Sequence, residues 1–224
     1  YVMLSLGQPL HAFDITNLAE QKIVVRRWNK EDGPFTTLDG QERRMSEEDL
    51  MICDAERPVA IGGVMGGQNS EINDGTEDIL LESAYFTPST IRATRRRLSI
   101  STEASYRFER GVDPEGTRRA ADWAIELIRQ TGGGQIAGGA VDVHPAPVAP
   151  ISVRLRTERA SELLGIKVGP SEVRQGLEAL GMTVKEAEGS ALDVEVPLFR
   201  HDIEREIDLI EELARRIGDE KIPS

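Results

Sequence analysis

Short apolar runs broken by turn residues dominate the early part of the chain, and helix-spaced apolar stripes become common later. Lys22–Trp28 is rich in β-branched residues and predicts a strand. Phe35–Leu38 and Gln41–Met45 flank Asp39-Gly40, a strong hairpin signal, because glycine accepts the positive φ that a tight turn requires. Leu50–Cys53 and Val59–Ile61 predict two further strands that end in the turn Gly62-Gly63-Val64-Met65-Gly66-Gly67, and Ile79–Leu81 runs into Glu82. Pro88 suits a helix start and predicts a helix to about Leu98. Asp113-Pro114 predicts another, with Ala120, Ala124, Leu127 and Ile128 on one face and Gly132-Gly133-Gly134 as its stop. The stretch His144-Pro145-Ala146-Pro147-Val148-Ala149-Pro150 predicts a hinge. Beyond it come a strand, Ile151–Leu155, a helix capped by Thr157 and ended by Gly165, and a helix from Pro170 to Gly181. A hairpin of Met182–Glu188 and Ala191–Val196 follows. A final helix is predicted from near Asp202 to Gly218, with Ile203, Ile207, Ile210, Leu213 and Ile217 as its apolar stripe. The expected fold class is α+β. A larger domain of mixed α/β structure spans residues 1–148 and a small α+β domain spans 149–224.

Composition narrows this picture. At 224 residues and 39% hydrophobic, the chain can bury a core in one large or two modest domains. No apolar run approaches the roughly 20 residues of a membrane helix. The single cysteine, Cys53, excludes an internal disulfide framework, and its place in Leu50-Met51-Ile52-Cys53 predicts a buried, inert thiol. These features predict a cytosolic protein. The chain begins at Tyr1 without a start methionine, and we read it as a piece of a longer polypeptide. The net charge of −12 argues against a protein whose main task is to hold nucleic acid by its phosphates. The charge is uneven, however. Residues 92–119 hold eight arginines against four acids, and residues 202–220 hold eight acids against three arginines. The first could meet a polyanion and the second a cation, and both could equally be solvated faces.

Several residues are candidates for chemistry. His11 follows Gly7-Gln8-Pro9-Leu10 in what reads as a loop. A lone histidine is more often packed or at the surface than in a site. The turn from Gly62 to Gly67 is no nucleotide fingerprint; it is either a tight turn or a place where backbone N–H groups approach a ligand. Glu82 closes the run Asp78-Ile79-Leu80-Leu81; at a strand end an acid is commonly exposed, but in an apolar pocket it would be a strong acceptor for a hydroxyl. Thr102 and Ala104 lie two apart in Ser101-Thr102-Glu103-Ala104-Ser105, one face of an extended segment, with the small residue leaving room beside the hydroxyl. Asp208, Glu211 and Glu212 share a helix face near Asp202. Four carboxylates so placed suit Mg2+, and they suit helix capping and an ordinary acidic surface as well. No Ser-His-Asp set, Cys-His set or zinc-ligand spacing is readable.

Three strings occur in order: Gly7-Gln8-Pro9-Leu10-His11-Ala12-Phe13-Asp14, the glycine-rich turn, and Ser101-Thr102-Glu103-Ala104-Ser105-Tyr106 with Arg107-Phe108-Glu109-Arg110-Gly111-Val112-Asp113-Pro114. They resemble the B3/B4 editing module of the beta subunit of bacterial phenylalanyl-tRNA synthetase. Pro197-Leu198-Phe199-Arg200-His201-Asp202-Ile203 with Asp208-Leu209-Ile210-Glu211-Glu212 resembles the B5 module that follows it. The resemblance implies a fragment of an ATP-dependent ligase whose local activity is hydrolysis of mischarged Tyr-tRNA(Phe), with the synthetic active site elsewhere. It places His11, Gly66, Glu82, Thr102 and Ala104 in the editing pocket. Glu82 would accept the tyrosine hydroxyl, Ala104 would make space for the ring, Thr102 would form a polar wall, and His11 would lie near the tRNA 3′ end. The nucleophile would be a water, positioned by His11, backbone groups near Gly66 and the tRNA's terminal hydroxyl. The resemblance further implies a Mg2+ on Asp202, Asp208, Glu211 and Glu212, shared with the alpha subunit of a two-alpha, two-beta assembly. The fragment alone is expected to hold this ion weakly; no zinc or organic cofactor is expected. Leu98-Ser99-Ile100 departs from the family's frequent Leu-Gly-Leu, upstream of the pocket string. Readings of other classes are a non-catalytic scaffold or RNA-binding piece, a freestanding editing relative, and a DNA-binding role for the B5-like part, which its acidic last helix argues against.

Overall fold

The computed structural model of the protein describes residues 1–223. The chain divides into two compact units after Val141. The Pro-rich stretch predicted as the hinge lies just beyond that point and has no helix or strand.

The first unit begins with a short helix, α1 (Val2–Leu6), closed by Gly7 at φ 74. Strand β1 (Leu10–Asp14) follows, where the sequence predicts a loop. Next come β2 (Val24–Arg27), the small hairpin β3 (Phe35–Thr36) and β4 (Glu42–Arg43), then β5 (Leu50–Cys53), β6 (Pro58–Ile61), β7 (Met65–Gly66) and β8 (Ile79–Ser83). The hairpin turns at Asp39-Gly40 as expected, but its strands are shorter than predicted. β2, β5, β6 and β7 form an antiparallel sheet in that order, and β1 pairs with β8 in a separate antiparallel ribbon. Helices α2 (Pro88–Leu98), α3 (Glu103–Phe108) and α4 (Gly116–Gly132) complete the unit.

The β1–β8 ribbon is apolar on both faces because it lies between two clusters. Phe13 and Leu80 join the main core with Met51, Ile61, Ile91 and Phe108. Leu10 and Leu81, on the other face, pack with Val2, Ala120, Ala124 and Trp123 of α1 and α4. Strand alternation therefore keeps His11 on the side of Phe13 and Glu82 on the side of Leu80, facing the main core. Cys53 is fully buried in that core, and burial raises its thiol pKa to about 11, so the inert reading stands. On α4 the expected apolar stripe holds at Ala120 and Ala124, but Ile128 is exposed.

The second unit is a three-stranded antiparallel sheet in the order β10 (Thr183–Glu186), β11 (Ala191–Val196), β9 (Ile151–Arg156). Helices α5 (Thr157–Leu164), α6 (Pro170–Glu178) and α7 (Glu206–Ile217) join it. Val153, Leu155, Val184, Leu192 and Val194 form a core with Val173, Leu177, Leu209 and Leu213. Alternation leaves charged residues on the other sheet face, where Arg154 pairs with Asp193. Two helix starts differ from expectation. α5 includes Thr157, whose hydroxyl donates to the Ser190 carbonyl rather than capping the helix. α7 begins at Glu206, so Asp202 lies outside it. Ile203 is buried ahead of the helix, and Ile207, expected in the apolar stripe, is 45% exposed. Asp208, at the third position of the helix, reaches back in a capping box: its carboxylate accepts from the N-cap Arg205 N at 2.8 Å and from Glu204 N ahead of it at 3.0 Å, so the segment from Asp202 to Arg205 stays outside the helix.

Candidate functional site

The β1–β8 register sets His11 directly opposite Glu82. Directly paired side chains in an antiparallel ribbon project to the same side with Cβ atoms about 5 Å apart. Here they project into a recess with an empty volume of about 390 Å3, part of it open to solvent. Its other walls are largely apolar: Leu10, Ile52, Ile61, Met65, Ala104 and Phe108 line it with the backbone from Gly63 to Gly66.

Local structure explains the shape. Gly63, at φ 66, turns the chain where a side chain would run into Phe86 and Ile91. A Cβ on Gly66 would stand 2.7 Å from His11 Cε1 and 3.0 Å from its Nε2, so glycine lets the imidazole lie across the backbone. The His11 ring is also held edge-on against Phe13, with centroids 4.5 Å apart. Ala104 and Phe108 stand four apart on α3 and present one helix face to the recess.

The electrostatics single out the two polar groups. Glu82 keeps part of its surface open to the recess, but Oε2 is sealed from solvent and has no hydrogen-bond partner. Nε2 of His11 is in the same condition. No cation among the lining residues offsets the carboxylate, and burial raises the Glu82 pKa to about 7. Burial likewise lowers the His11 pKa, which favours the neutral ring. A buried, unpaired polar atom costs about 1–3 kcal/mol unless a partner arrives. Two of them in one apolar recess leave it able to take a polar group brought by a ligand.

Thr102 is placed differently from its neighbours in the motif. The segment is helical rather than extended, and Thr102 is the N-cap of α3. Its hydroxyl accepts from Ser105 N at 3.0 Å and donates to the Val64 carbonyl at 2.8 Å. It ties α3 to the glycine-rich turn and is not among the residues that line the recess, whereas Ala104 is. The neighbouring charged string is mostly structural. Glu109 is buried and held by Arg95 and Arg110, while Arg92 donates to its carbonyl, so α2 is fixed to the end of α3. The recess also uses Phe108, Met65 and Leu10, which sequence reasoning did not single out. The i, i+4 pairing of Ala104 with Phe108 was the available signal.

The acidic candidates do not converge on a common point. Asp202 and Glu212 are both bound by the Arg200 guanidinium, at 2.7 and 2.9 Å. Glu212 is buried and also meets Arg215, which pairs with Glu211 too. Asp208 caps α7, and those backbone N–H bonds lower its pKa. Hydrogen bonds from Arg200 lower that of Asp202. Among the described residues no three histidine, cysteine or acidic side chains are placed to hold a metal ion. The four carboxylates are already neutralised by arginines and N–H groups, and the set does not fit a hard cation that needs several free oxygens. No helix of the described residues is long and apolar enough to cross a membrane.

Residues 1–133 match the model of the B3/4 domain, and residues 153–218 match that of the tRNA synthetase B5 domain. A phenylalanine–tRNA ligase beta subunit of Salinibacter ruber is 51% identical over 223 residues, which is all of this chain and 27% of that protein. The beta subunits of Syntrophus aciditrophicus and Geobacter sulfurreducens are 50% and 49% identical, over 100% and 99% of this chain and 28% of theirs. The chain thus spans little more than a quarter of the length of these relatives. With its match over residues 1–133, the chain belongs to the B3/4 domain family and carries a tRNA synthetase B5 domain behind it.

Proposed function

We propose that the recess is the editing site of a phenylalanyl-tRNA synthetase beta subunit, where the ester of Tyr-tRNA(Phe) is hydrolysed. The observation that carries this reading is the pair of unpartnered polar atoms, Glu82 Oε2 and His11 Nε2, facing one apolar recess. An apolar pocket distinguishes tyrosine from phenylalanine poorly, because a pocket that accepts the ring rejects an added hydroxyl by only about 100-fold. A second site that demands the hydroxyl resolves this. Tyrosine satisfies Glu82, whereas phenylalanine leaves the buried carboxyl unpaired. Ala104 leaves space for the ring against Phe108, and neutral His11 can hold a water or the terminal ribose. Hydrolysis of an activated ester by a positioned water needs no protein nucleophile, since holding the reactants together lowers the barrier by several kcal/mol.

In this reading the chain acts within the cytoplasmic ligase, alongside an alpha subunit and with the acceptor end of tRNA(Phe) as its partner. The test is deacylation of Tyr-tRNA(Phe) by the ligase containing this chain, with and without Glu82→Ala. The parent should release tyrosine and spare Phe-tRNA(Phe), and the variant should lose that preference. Equal rates in parent and variant would remove the site from the recess.

A further inference from the structure

The recess presents a carboxyl group with nothing to meet it. The ribbon partner supplies His11, the β5–β7 sheet supplies Ile52, Ala60, Ile61, Met65 and Gly66, and α3 supplies Ala104 and Phe108. His11 is the one other titratable group among these lining residues, and it makes no ion pair or hydrogen bond with Glu82. The charged residues of α3, Glu103 and Arg107, pair with each other, and Arg110 beyond the helix lies over the Tyr106 ring. On its far face β8 meets α4, where Ser83 donates to the Thr117 carbonyl. No positive charge and no N–H group serves the Glu82 Oε2 from any of these elements.

We propose that Glu82 recognises the ligand's hydroxyl by giving up its proton as the ligand binds, so that the preference of the recess for a hydroxylated ring over the bare ring rises with pH. This rests on the editing-site reading. In the empty recess the neutral acid avoids an unpaired buried charge. When a phenol enters, its O–H donates to the carboxylate, the one form that can accept at both oxygens, and the displaced proton leaves to solvent. The atoms balance as Glu–COOH plus ArOH giving Glu–COO⁻ hydrogen-bonded to HOAr plus one H⁺. A bare phenyl ring brings no donor and leaves the titration of Glu82 where it stands in the empty recess. Burial already places the titration of Glu82 near neutrality, so the linkage falls in an accessible pH range.

The experiment is calorimetric titration of this 224-residue chain with tyrosinamide and phenylalaninamide from pH 6 to pH 8, in two buffers of different ionisation enthalpy. The amides share an α-amine and face the same His11, so those titrations divide out of the affinity ratio. A charge-assisted hydrogen bond corresponds to about one pKa unit or more, so the tyrosinamide to phenylalaninamide ratio should rise about fivefold from pH 6 to pH 8. Tyrosinamide binding should release more protons than phenylalaninamide binding. Glu82→Gln should bind both amides with a flat ratio. Binding of tyrosinamide with a flat ratio in the parent overturns the proton-release inference and leaves the editing-site reading intact. A slope that survives in Glu82→Gln overturns it as well. If neither amide binds at any pH, the editing-site reading falls and this inference falls with it.

Discussion

The recess and the acidic face of α7 are the two regions that an inventory of polar side chains would rank together, and they are built on opposite principles. On α7 the carboxylates are many and all engaged. Arg200 spans Asp202 and Glu212, Arg215 meets Glu211 and Glu212, and Asp208 caps the helix. In the recess the polar atoms are few and unengaged. A satisfied charge cluster has little left to offer a ligand, whereas an unpaired buried atom holds unused interaction free energy until a partner comes. A search for a binding site therefore starts from what lacks a partner rather than from the density of charge.

The sharpest way to break this comparison is to fill the recess. Ala104→Trp should abolish tyrosinamide binding, a loss of 100-fold or more, while circular dichroism shows a folded chain. Full retained binding would place the ligand elsewhere. The next effect lies on α7. Arg200→Ala leaves the buried Glu212 with only the long contact to Arg215. Breaking a buried pair costs about 3–5 kcal/mol, and the partial exposure of Arg200 argues for the lower end, measured by urea unfolding. A loss under 1 kcal/mol would show that burying Glu212 does not depend on Arg200.

Glu82→Gln sharpens the other side of the comparison through pH. The folded state raises this carboxyl from 4.5 to about 7, so it binds the proton more tightly than the unfolded chain does. Stability is then unaffected below about pH 4.5 and declines as pH rises to 7. At pH 8 the variant should be more stable than the parent by up to about 3 kcal/mol, and at pH 4 the two should agree. Parallel pH profiles would contradict an unpaired buried carboxyl. The smallest effect concerns the cation. Millimolar Mg2+ should raise the melting temperature of the chain by less than about 1 °C, since stabilisation follows ligand concentration over dissociation constant. A large shift abolished by Asp208→Asn would show that the acidic face holds the ion alone.

What the sequence made legible depended on range. Helix α2, the β10–β11 hairpin and the Asp39-Gly40 turn rest on local signals, and the structure has them. Strand β1 did not read as a strand because it is five residues long, with a histidine and an aspartate among apolar residues that serve two clusters. The facing of His11 and Glu82 is a register across residues 11 to 82, which no local period encodes. Thr102 illustrates a competition between two local readings. Its hydroxyl suits a pocket wall, but helix capping claimed it, as Ser105 three residues on could have indicated. On α7 the misplaced start followed from taking Asp202 as the cap when Asp208 could reach back to the same N–H groups. The arginines that neutralise the acidic face come from positions 200, 205 and 215. A spacing argument restricted to carboxylates leaves them out.

The most direct test of the central claim is a two-dimensional amide and side-chain NMR titration of the chain with tyrosinamide. The account predicts shifts at His11, Gly66, Glu82 and Ala104, with residues 200–212 unmoved. Shifts confined to residues 200–212, with a silent recess, would contradict it.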